Sequence, residues 1–148
     1  MISETDKLDK EILISKLAEF FESQEDVELA YLFGSTAEDN RGPLSDIDVG
    51  VYLSVRLTKM ERIDKRLELA VKLAGFLKSD SIDLIIMNDA PPVINFEIIK
   101  PNVPLFVRDD DIKLDVEQKI MSRYLDRKHH EDFLNRAFLK RIKEKGGF

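Results

Sequence analysis

Apolar residues recur along the chain in two rhythms, and the switches between them mark out helices and strands. From about Thr5 to Ser23, Leu13, Leu17, Phe20 and Phe21 stand at helical spacing, which predicts an amphipathic helix. Val27–Phe33 (VELAYLF) is a short apolar run stopped by Gly34, and reads as a strand. Residues 38–45 (EDNRGPLS) gather turn formers into a loop, after which Asp48–Leu53 reads as a second strand. Thr58 and Glu61 have the spacing of a capping box. The helix they open runs to about Lys78, with Met60, Ile63, Leu67, Ala70, Ala74 and Leu77 as its expected buried stripe.

A turn at KSDS leads into a third strand, Ile82–Met87 (IDLIIM). NDAPP then starts a short helix through Ile99, with Pro91 or Pro92 in its first turn. Val103–Val107 is expected at a sheet edge, because Pro104 cannot donate to a ladder. From Ile112 the spacing is helical again: Val116, Ile120 and Tyr124 share a face, the charged run DRKHHED (126–132) interrupts it, and Leu134, Phe138 and Ile142 resume it. This segment is either two helices or one long helix leaving the body. The link between the first two strands is too short for a wound βαβ unit. The expected fold is therefore α/β (α+β), a mixed sheet of about four strands with helices mainly on one side. Residues 1–111 form the expected core, and 112–148 a C-terminal helical extension of the same domain.

Composition narrows the setting. The 148 residues contain no cysteine, which excludes disulfides and Cys-based zinc sites and makes a reducing, cytoplasmic location the default. No apolar run approaches a membrane span, and MISETDKLDK lacks the features of a signal peptide. The net charge of −6 argues against bulk affinity for nucleic acid. Charge is uneven, however: residues 112–148 hold ten Lys/Arg against six Asp/Glu, while residues 1–111 hold thirteen against twenty-three. A basic, partly apolar tail on an acidic body suits either a solvated helix or a surface for a partner or a second copy. His129 and His130 sit in the charged run with no third ligand nearby and read as solvated; Tyr31, Tyr52, Met60, Phe20 and Phe21 read as packing residues.

The candidate chemistry lies around the first loop. In a strand, residues two apart face the same side, so Asp46 and Asp48 point together. Paired carboxylates repel and are costly to bury, and a divalent cation relieves both penalties; an oxygen-only Asp-x-Asp suits Mg²⁺. Asp83 is the only polar residue of the third strand. Placed beside Asp48, it would complete a three-carboxylate site for two metal ions, or act as a general base. Gly34-Ser35 closes the first strand, where a tight turn can present N–H groups and a hydroxyl to phosphate oxygens.

Gly34-Ser35, ten residues, then Asp46-x-Asp48 and a later acid on a third strand together resemble the signature of the polymerase-β-like nucleotidyltransferase superfamily. Ala37, SDIDVGVYL (45–53), IDLIIMNDAPP (82–92) and VPLFVRDD (103–110) are similar to its minimal bacterial and archaeal members, so the resemblance covers roughly residues 27–110. The resemblance implies the nucleotidyltransferase fold and transfer of AMP from ATP to a hydroxyl, with release of pyrophosphate. It makes Asp46, Asp48 and Asp83 the catalytic, Mg²⁺-holding acids and Gly34 and Ser35 the triphosphate contacts. It also implies a partner, because many minimal members are antitoxins that adenylylate a tyrosine of a HEPN-type toxin ribonuclease.

The family often has Arg-Gly where this chain has Glu38-Asp39; Gly42 and Arg41, the latter as a cation within reach of the phosphates, are the expected compensation. Two other functions fit the residues. One is transfer to a small molecule such as an aminoglycoside, with the acceptor site shared between subunits. The other is a non-catalytic module that neutralises a toxin by contact. The C-terminal helix is the expected route to a homo-oligomer.

Overall fold

Four strands form one open, mixed sheet in the computed structural model, which describes residues 4–37, 46–79 and 81–144. Helix α1 (Glu4–Glu22) leads to β1 (Val27–Phe33), which passes directly into a single helical turn, α2 (Gly34–Ala37). Strand β2 (Ile47–Leu53), helix α3 (Lys59–Leu77) and strand β3 (Ile82–Ile86) follow, with a 3₁₀ turn over Met87–Asp89. Helix α4 (Pro92–Ile99), strand β4 (Pro104–Val107) and the 35-residue helix α5 (Asp110–Glu144) complete the described residues. The sheet order is β3-β2-β1-β4, with β2 antiparallel to β1, β3 parallel to β2, and β4 antiparallel to β1 at the other edge.

The short link between β1 and β2 makes an antiparallel pair, whereas the 19-residue α3 is long enough for the crossover that brings β3 parallel to β2. Helix α3 starts as its sequence predicts. Thr58 accepts from the Glu61 N–H while the Glu61 carboxylate accepts from the Thr58 N–H, and Lys78 ends the helix at φ 55°. Pro92 stands at the first position of α4, where its missing N–H costs nothing.

Strand alternation gives the sheet two apolar faces. Leu32, Val49, Val51 and Leu84 face a core with Leu17, Phe20 and Phe21 of α1 and Leu69 and Leu73 of α3. Leu29, Tyr31 and Ile85 face the other way, toward Ile98 of α4 and Val116 and Ile120 of α5. The helices are thus divided between both faces, because β1 is apolar at nearly every position and its second face also requires cover.

One expectation about helices needs correction, and one open alternative is resolved. The buried residues of α3 are Leu69 and Leu73, and Met60, Ile63 and Leu67 lie 68%, 52% and 69% exposed. Two arginines of the first turns reach the body instead. Arg62 reaches Asp89 and the Leu57 carbonyl, and Arg66 Nε donates to the Leu84 carbonyl. The tail, left open between two helices and one, is one continuous helix. Its inner half is anchored by Tyr31 Oη donating to Glu117 at 2.7 Å and by Tyr124 stacked on Phe96 at 3.9 Å. Beyond this stack every side chain from Leu125 to Arg141 is exposed, including Leu134, Phe138, His129 and His130.

Candidate active site

The end of β1 and the starts of β2 and β3 converge, and Asp48 and Asp83 stand side by side there, with Asp46 just before β2. Register pairs Phe33 with Asp48 across β1 and β2, and Asp48 with Asp83 across β2 and β3. Asp48 and Asp83 therefore stand on neighbouring strands, about 5 Å apart at the backbone, on the same face of the sheet. Asp46 precedes β2, two residues from Asp48, and is exposed. Asp48 itself is half-buried.

The electrostatics follow from this crowding. Burial pushes the Asp48 carboxyl above the usual carboxylate range, and the charges of Asp83 and then Asp46 push it further. Among the described residues no lysine or arginine is paired with any of the three acids. Nor, among the described residues, are three His, Cys, Asp or Glu side chains gathered closely enough to form a metal cage. The donor set nevertheless fits Mg²⁺, which takes one or two carboxylates and completes its shell with water and substrate phosphate.

Gly34 supplies the third wall. It begins α2 at φ +73°, in the left-handed region that a side chain disfavours. A Cβ built there would collide with the Asp48 carboxylate. Side-chain-free backbone at this point lets the turn close directly over the acid. Ala37, buried in the core, and a 2.8 Å bond from Lys10 Nζ to its carbonyl hold the other end of the turn. Ser35 is the second residue of that turn, one peptide from Gly34. Arg41, Glu38, Asp39 and Gly42 lie outside the described residues.

Sequence pattern missed the side chains that brace the opposite end of β2. Asn88 clamps Leu53, its Oδ1 accepting from the Leu53 N–H and its Nδ2 donating to the Leu53 carbonyl. Asn95 Nδ2 donates in turn to the Met87 and Ala90 carbonyls, tying α4 to the 3₁₀ turn. Polar residues after a strand read only as turn formers until such pairings are seen.

Comparison with known proteins supplies the context. A family model described as polymerase beta, nucleotidyltransferase matches residues 15–111. No curated protein matches the chain. Among solved structures it is similar to a chain of a toxin–antitoxin pair crystallised with AMP-PNP, at 24% identity and a TM-score of 0.61 over 88% of this chain and 98% of that one. A mutant of the MntA-HpeT toxin–antitoxin pair has a chain at 26% identity and 0.57, covering 90% and 97%. A complex of tri-AMPylated Shewanella oneidensis HEPN toxin with MNT antitoxin has one at 23% and 0.53, covering 93% and 98%.

Proposed function

Because the chain belongs to the polymerase β nucleotidyltransferase family, whose model spans residues 15–111, we propose that it transfers AMP from ATP to a tyrosine hydroxyl of a HEPN-type toxin and so acts as its antitoxin. The observation that carries this reading is the Asp48 carboxylate, crowded by Asp83 and Asp46 and closed over by side-chain-free Gly34. The family membership supports the chemistry, and the crowded acids support this end of the sheet as its site. The partner comes from the solved relatives, among them an AMPylated HEPN toxin bound to an MNT antitoxin.

Asp46 and Asp48, with Asp83 beside them, would hold Mg²⁺, which when bound neutralises triphosphate charge and favours ionisation of a hydroxyl. The N–H groups of the turn at Gly34-Ser35 receive phosphate oxygens, and Arg41 adds a cation. Asp83 takes the proton as the tyrosine oxygen bonds to the α-phosphorus. The bond from that phosphorus to the bridging oxygen breaks, and pyrophosphate leaves with the electron pair. Crowding at Asp48 is relieved by each positive charge that enters, so binding is strongest when cation and triphosphate arrive together.

The test is incubation with the HEPN partner, Mg²⁺ and ATP labelled in its α-phosphate. Label should appear on a partner tyrosine with the wild type and not with Asp46→Ala. No transfer by the wild type, or equal transfer by Asp46→Ala, contradicts the reading.

A further inference from the structure

We propose that Lys10 is a positioning residue for the nucleotide: from α1 it holds the Gly34–Ala37 turn in the shape that receives the triphosphate. The inference rests on the reading of that turn as the phosphate contact, and adds to it a residue from a distant part of the chain. Lys10 Nζ donates to the Ala37 carbonyl at 2.8 Å, across 27 residues of sequence.

Helix α1 aims this lysine inward. Lys10, Leu13, Leu17, Phe20 and Phe21 recur at the spacing of one helix face. Leu17, Phe20 and Phe21 are buried, and Leu13 packs against the same core. Lys10 thus occupies the next position of the apolar stripe, where it is half-buried. A lysine suits that place because its stem lies along apolar surface while its ammonium reaches a polar group. Lys16 of the same helix stands roughly 120° around the axis from Lys10, and is exposed.

The turn needs support from outside itself. It is four residues long, so its carbonyls have no partner within the helix. A single helical turn does not hold its shape alone in water. Gly34 closes over Asp48 because it has no Cβ, and for the same reason it brings no side-chain packing to its end of the turn. At the other end the Ala37 methyl group is buried in the core, and its carbonyl takes the Lys10 ammonium. A charged donor makes that bond stronger than one between neutral groups. Without it the N–H groups at Gly34-Ser35 lose their fixed direction, and a triphosphate must order the turn as it binds.

The test measures the affinity of the full-length protein for ATP with Mg²⁺ by calorimetry, with no acceptor present. Lys10→Met keeps the stem and loses the donor, and should bind ATP about tenfold more weakly than the wild type. Lys10→Arg returns a donor to the carbonyl, and should bind within about threefold of the wild type. Lys16→Met removes the same charge from the exposed face of α1 and should bind like the wild type. In transfer to the HEPN partner, Lys10→Met should raise KM for ATP by about tenfold and change kcat by less than about twofold, because Lys10 acts through the turn. Unchanged affinity in Lys10→Met, no recovery in Lys10→Arg, an equal loss in Lys16→Met, or a fall in kcat at unchanged KM would each overturn the role of Lys10. Absence of ATP binding by the wild type would overturn the nucleotide reading and this inference with it, whereas weakened binding in Lys10→Met supports the inference whichever acceptor is modified.

Discussion

The Asp48 carboxyl is held above the usual range by burial and then by its two neighbouring acids, so its ionised form is less favourable in the folded protein than in the unfolded chain. A raised carboxyl pKa means that the folded state binds this proton more tightly. The penalty is absent below the unfolded pKa of about 4 and complete once pH exceeds the folded value. Asp48→Asn should therefore raise the melting temperature at neutral pH, lose that gain on acidification toward pH ~4, and abolish transfer. Thermal melts across this range check the sign. Gly34→Ala places a methyl group against Asp48 in left-handed backbone, and should cost about 1–2 kcal/mol in a denaturant titration as well as impairing transfer. At this scale the sequence was informative about Asp48, which lies on β2 as its spacing predicts, whereas Asp46 stands just before the strand. That Asp83 would stand opposite Asp48, and Gly34 above it, depends on strand register, which no local pattern contains.

Helix α3 illustrates what a single element can and cannot disclose. Its capping box was legible because two residues at fixed spacing satisfy each other without outside help. Removing it with Thr58→Ala should cost about 1 kcal/mol. Its buried face was misread because apolar residues occur on two sides, and only the sheet decides which side is covered. Leu73 is fully buried and Leu67 is 69% exposed. Leu73→Ala should accordingly destabilise by about 2–5 kcal/mol, and Leu67→Ala by less than about 0.5 kcal/mol, in parallel denaturant titrations. The reverse ranking would restore the stripe read from spacing alone.

Across the whole molecule, the chain divides into a two-faced sheet with its helices and a helical arm that outruns them. Roughly 50 Å of α5 follows from its 35 residues, and the Tyr124 stack on Phe96 marks where contact with the body stops. The charged run at 126–132 breaks the apolar face without breaking the helix, since charged side chains on a solvated helix need no partner. Deleting residues 126–148 should leave the melting temperature nearly unchanged. Tyr31→Phe, which takes the buried hydrogen-bond donor from Glu117, should cost about 1–2 kcal/mol. Transfer of AMP to a protein hydroxyl remains the central claim for the molecule. Its most direct test gives the HEPN partner and wild-type protein ATP labelled in either the α- or the γ-phosphate. Label on the partner from the α-phosphate alone, with pyrophosphate released in equal amount, is the predicted result; label from the γ-phosphate, or from neither, would contradict it.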